Sequence, residues 1–95
     1  MLYTIAKSPF NCDFPVLLRL ITNQDAVLLI QDGVIVAIDQ SKYLNELQNT
    51  GVQIYALEAD IIARGLQNKI SEAVSLVTYQ GFVRLTEAHK QHFSL

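Results

Sequence analysis

The sequence predicts an α/β fold: a mainly parallel sheet of four to five strands with helices on both faces, formed by residues 1–95 as one domain. Three observations carry this. Short apolar runs at Leu2–Ala6, Ala26–Ile30, Val52–Leu57 and Val74–Thr78 alternate with segments of helical periodicity, the pattern of successive βαβ units. The run Ala26-Val27-Leu28-Leu29-Ile30 has no polar alternation, as expected of a strand covered on both faces. A chain of 95 residues has room for one domain and not two.

Each element has a local reason. Leu2 to Ala6 reads as a strand closed by the turn signal Ser8-Pro9. Asp13 is placed to cap a helix running through Thr22, with Pro15 tolerated in its first turn and Phe14, Leu17, Leu18 and Ile21 on one face. Asn23-Gln24-Asp25 breaks that pattern ahead of the second strand. Ser41 caps a helix that starts at Lys42, buries Tyr43, Leu44 and Leu47, and stops at Asn49-Thr50-Gly51. Glu58 to Arg64 follows the third strand as a helix with acidic residues in its first turn and Gly65 as its C-terminal cap. Phe82, Val83, Leu85 and Ala88 mark a last helix, and His92-Phe93-Ser94-Leu95 adds a short fifth strand. One segment stays open between two structures. Asp32-Gly33 between apolar runs is a strong hairpin signal, yet it equally ends a parallel strand and leads into a short buried helix at Val34–Ile38.

Composition narrows the function. Ile, Leu and Val make up 30 of the 95 residues, which excludes a disordered chain. Hydrophobic residues are 51% and charged residues only 17%, against about 25% charged in ordinary globular chains. A domain this small hides only about 60–65% of its unfolded surface, so so apolar a chain is expected to leave an uncharged patch that a protein partner covers. The apolar runs of five residues are far short of the roughly 20 that span a membrane, and Met1 to Lys7 does not read as a signal peptide. A lone cysteine, Cys12, fits a reducing compartment, and a cytoplasmic location is expected. The seven basic residues are scattered singly, so direct nucleic-acid binding is not expected. The four glycines form no phosphate-binding loop, and no cofactor is implied.

Few side chains are placed for chemistry. Cys12 precedes a helix cap, where free N–H groups favour a thiolate, while the neighbouring Asp13 opposes one. His89 and His92 lie near Glu87 at one-turn spacing, without a third or fourth ligand, and read as a solvated helix end rather than a metal site. Asp32 falls where ligands enter open parallel sheets, but it, Asp25, Asp39 and Asp60 all suit turn and cap positions. Arg64 suits either the end of a helix or contact with a partner subunit. Ser71 and Ser75 have no histidine nearby to activate them.

Several segments together resemble the TusB/DsrH family, the small subunit of the TusBCD and DsrEFH sulfur-relay complexes. They are Leu2-Tyr3-Thr4 with Lys7-Ser8-Pro9, Leu28 to Val34 around Asp32-Gly33, Tyr55-Ala56-Leu57 with Asp60 and Ala63-Arg64-Gly65-Leu66, and Tyr79 with Phe82-Val83 and Leu85. The resemblance runs nearly end to end. It implies a three-layer α/β/α domain in which Asp32-Gly33 opens a short helix. It implies a non-catalytic subunit of a sulfurtransferase that relays persulfide sulfur, in tRNA processing, to the wobble uridine as 2-thiouridine. The partners it implies are two related chains, TusC-like and TusD-like, in a heterohexameric dimer of heterotrimers, with a downstream sulfur-acceptor protein. The sister subunit that does the chemistry carries its cysteine at the place equivalent to Leu57, ahead of a helix closing in Arg-Gly. Some DsrH-type members have a cysteine near the position of Leu17, and Cys12 lies earlier. Asp32, Gly33, Asp60, Arg64 and Gly65 are thus the expected interface or structural motif. The alternatives are a persulfide carrier using Cys12 in a sulfur-oxidation complex, and a stand-alone domain binding a small ligand near Asp32.

Overall fold

The computed structural model describes residues 1–95. Five strands, β1 (Leu2–Ile5), β2 (Ala26–Leu29), β3 (Gln53–Leu57), β4 (Ser75–Val77) and β5 (His92–Ser94), form one sheet in the order β4-β3-β2-β1-β5. Every neighbouring pair is parallel. The short C-terminal strand expected from the tail is present, beside β1.

Four α-helices cross over the sheet: α1 (Phe14–Leu20), α2 (Lys42–Asn49), α3 (Glu58–Ala63) and α4 (Tyr79–Ala88). The first three crossovers step the same way along the sheet, and crossovers of one hand then place their helices on one face. Phe14 and Leu17 of α1, Leu44 and Leu47 of α2 and Ile61 of α3 accordingly share one core with Tyr3, Ile5, Val27, Leu29, Ile54 and Ala56. The return from β4 to β5 reverses direction, and α4 falls on the opposite face, where Phe82 and Leu85 pack on Leu2, Ala26 and Leu28. All four residues of β2, the middle strand, are therefore buried. No helix is long and apolar enough to cross a membrane.

The caps explain the helix boundaries. Asp13 Oδ1 accepts from the Val16 N–H at 3.4 Å, and Ser41 Oγ from Leu44 at 3.4 Å. Helix α1 ends at Leu20, two residues before the expected Thr22, because Ile21 turns to extended backbone and Asp25 Oδ2 takes the Thr22 N–H at 2.9 Å. Helix α3 ends in a Schellman turn: Leu66 N–H donates to the Ile61 carbonyl and Gly65 N–H to that of Ile62, both at 3.0 Å, with Gly65 at φ +67°.

The hairpin alternative at Asp32-Gly33 is wrong. Gln31–Ala37 forms a 3₁₀ helix that buries Val34, Val36 and Ala37. Two contacts exclude a hairpin. The Ile30 N–H is held by the Ile5 carbonyl at 3.0 Å, and Gly33 lies so close to that carbonyl that a Cβ would overlap its oxygen and stand 2.8 Å from its carbon. Gly33 is needed here for close backbone approach rather than for a positive φ.

Two predictions follow from this packing. Gly33→Ala drives a methyl into the β1 backbone and is expected to cost about 3 kcal/mol, read as a lower urea midpoint at unchanged slope. The second concerns Asp25. Burial alone would push its carboxyl up, but hydrogen bonds from Thr22 and the N-terminal ammonium 3.0 Å away hold it below the ordinary carboxylate value. A depressed folded-state pKa contributes stability that is complete above the unfolded value near 4 and is lost as pH falls through the folded one. Asp25→Asn is therefore less stable than the wild-type chain at pH 7, and the two urea midpoints converge near pH 2.

Candidate functional site

Parallel strands bring the loops that follow β1, β2 and β3 to one end of the sheet, the end where ligand sites of open α/β sheets form. The 3₁₀ helix after β2 supplies Gln31, Asp32 and Gly33, and α3 after β3 supplies Asp60 and Arg64. Arg64 Nε and Nη2 donate to Asp32 Oδ1 at 3.2 and 3.0 Å. Its Nη1 donates to the Asp60 carbonyl at 3.3 Å and lies 3.8 Å from Asp60 Oδ1. Asp60 Oδ2 in turn accepts the Gln31 N–H at 2.7 Å.

The geometry says which of these contacts matters most. Gln31 holds φ +49°, a left-handed conformation that a non-glycine residue adopts only under constraint, and the Asp60 carboxylate supplies that constraint. The Asp32 side chain is 64% exposed, so its pairing with Arg64 is a solvated surface ion pair of small energetic weight. Of the five motif residues expected from sequence, Asp32, Asp60 and Arg64 come together, Gly33 sits under the Ile5 carbonyl, and Gly65 closes α3. Arg64 lies one residue past the last helical turn and turns its guanidinium to the two aspartates. Gln31 is the member of this network that sequence reasoning missed, since its contribution is a main-chain N–H and nothing in a glutamine signals a positive φ.

Cys12 stands between a 3₁₀ turn (Pro9–Asn11) and the Asp13 cap, half-buried against the core and outside the Arg64 network. Burial pushes its thiol up, Lys7 draws it down and Asp13 raises it further, leaving it above the ordinary thiol range. The free N–H groups before α1 therefore do not make it a thiolate at neutral pH. Leu57, at the end of β3, is buried and directly precedes α3, whose N-terminus has no side-chain cap. His92 Nε2 faces the Thr86 and His89 carbonyls at 2.9 and 2.7 Å, a helix-end contact, rather than converging with His89 through the rings.

The expected uncharged surface is visible as separate groups. Phe10 is 75% exposed and stacks edge-on against Tyr43, which itself packs on Phe14. Val16 and Leu20 are exposed on α1, and Tyr79 and Val83 on α4.

Known proteins of the same architecture extend this picture. The solved structure of the ychN protein from E. coli superposes with a TM-score of 0.78 at 14% identity, covering 99% of this chain and 97% of that one, a likeness of fold. The solution structure of protein Tm0979 from Thermotoga maritima gives a TM-score of 0.68 at 26% identity, covering 96% and 97%. At the level of sequence, the chain is 47% identical over 94 residues to curated relatives named Protein TusB, from Yersinia pestis (strain Pestoides F) and Yersinia pseudotuberculosis (serotype O:1b, strain IP 31758). The match covers 99% of this chain and 99% of each relative. Residues 7–92 match the family model described as DsrH like protein, and the chain belongs to that family.

Proposed function

We propose that this chain is a non-catalytic subunit of a cytoplasmic sulfurtransferase complex. In that role it helps relay persulfide sulfur between proteins for 2-thiolation of the wobble uridine of tRNA, assembled as a single domain with two related chains in a dimer of heterotrimers. Membership in a sulfur-relay family supports the general role. The observation that carries the non-catalytic assignment is Leu57. By resemblance, the subunit that does the chemistry has its cysteine at this strand end. Here the position holds a hydrocarbon that is 3% exposed. A persulfide carrier needs an accessible sulfur that ionises readily, and Cys12, half-buried with a raised pKa, meets neither need well.

Asp32, Gly33, Asp60, Arg64 and Gly65 then serve to set the shape of the strand ends. The Asp60–Gln31 bond pins the 3₁₀ helix, and Asp32, Asp60 and Arg64, two carboxylates to one guanidinium, give that end a polar surface for a neighbouring subunit.

Co-expression with the two sister chains, followed by the mass of the co-purified assembly, tests the role. Two copies of each chain are expected, and a stable monomer that leaves the sisters behind overturns it. Treating that assembly with a sulfur donor is expected to add no sulfur to the Cys12 peptide, and Cys12→Ser is expected to keep full relay activity. A gain of one sulfur atom at Cys12 reverses the assignment. In the isolated chain, Asp60→Ala is expected to lower stability by about 1 kcal/mol, and Arg64→Ala by less, in urea unfolding.

A further inference from the structure

At the opposite end of the sheet from Arg64, strand β3 begins before its neighbour. Gln53 and Ile54 pair with β2 on one side, whereas the β3–β4 ladder starts only at Tyr55 opposite Ser75. A cavity of about 340 Å³ opens there, lined by Val52, Gln53, Ile54, Tyr55, Ala73 and Ser75. None of these six residues is charged. The Tyr55 hydroxyl donates to Gln53 Oε1 at 2.7 Å, which engages the amide oxygen and leaves the Gln53 NH₂ group as a donor, and Ser75 adds a hydroxyl to the lining.

We propose that this recess is a recognition notch for an uncharged, extended polypeptide segment of a partner protein. Three observations converge on that ligand. The lining offers donors and acceptors but no countercharge, which disfavours phosphates, carboxylates and metal ions and suits amides. The main chain of Gln53 and Ile54 continues as strand with no partner on this side, and an extended backbone is what completes such a ladder. The volume is at the small end of ligand cavities, enough for a short stretch of chain. The notch lies away from Cys12 and Leu57, so it stands or falls independently of the sulfur-relay reading.

The test uses the ¹⁵N-labelled full-length chain and a neutral capped peptide, acetyl-Gly-Ser-Asn-Ser-Gly-amide, titrated by NMR. Saturable amide shifts at Gln53–Tyr55 and Ala73–Ser75 are expected. Ser75→Leu, which fills the recess, is expected to weaken binding at least 5-fold, and the same peptide with Asp in place of Asn to bind at least 3-fold more weakly. Shifts that fail to saturate, scatter over the surface or persist in Ser75→Leu overturn the proposal. If N-methylacetamide reproduces the shifts at the same concentration, the site takes free amides and the polypeptide assignment is overturned. Gln53→Ala supplies an independent variant on the other strand, and unchanged affinity there also counts against the notch.

Discussion

Burial of β2 on both faces is the constraint on which the structure turns. Four consecutive residues, Ala26 to Leu29, are buried, so one layer of side chains has to cover Val27 and Leu29 and another Ala26 and Leu28. A chain this short meets the first demand with three helices and the second with α4 alone. Each helix buries one stripe, and with only 17% of the residues charged the outer sides of helices on both faces keep apolar side chains. Val16 and Leu20 on α1, Ile62 on α3 and Tyr79 and Val83 on α4 are among the apolar side chains left in water.

The same constraint shapes the strand ends. Ile30 must leave β2 beneath the Ile5 carbonyl, and the chain then has to turn inward at once to bury Val34 and Val36. It does so through a left-handed Gln31 and a glycine pressed on β1, a conformation of low intrinsic preference secured by a carboxylate from the next crossover. Asp60, which follows β3, thus acts on the 3₁₀ helix that follows β2. The polar cluster at this end is a brace between two crossovers, and its outermost member, the Asp32–Arg64 pair, is the one that water weakens most.

Much of this was legible from residue order. Asp13, Ser41 and Gly65 work as the caps their types suggest, because capping is decided within one turn of chain. The apolar run at β2 announced a strand covered on both faces. The five motif residues were visible singly, and the resemblance to a family of sulfur-relay proteins joined them. The partnership of Asp60 with the Gln31 N–H was not visible, since it links positions 29 residues apart through a main-chain group that has no side-chain signature. The apparent activation of Cys12 by a following helix was outweighed by burial, a quantity set by what packs on the thiol from elsewhere.

By itself, the sequence determined the alternation of strands and helices, the caps, the buried middle strand and the absence of a cysteine at position 57, all of which depend on residue type and near neighbours. At Asp32-Gly33 the local pattern satisfied both a hairpin and a short helix; the family resemblance pointed to the helix, and only the tertiary structure supplied the reason, the Ile5 carbonyl, 28 residues earlier in the chain. The tertiary structure also decided that Asp32, Asp60 and Arg64 meet, because parallel register brings the ends of β2 and β3 together. Where β4 begins relative to β3, and hence the recess at Gln53, is likewise a matter of register, which pairing between distant segments sets.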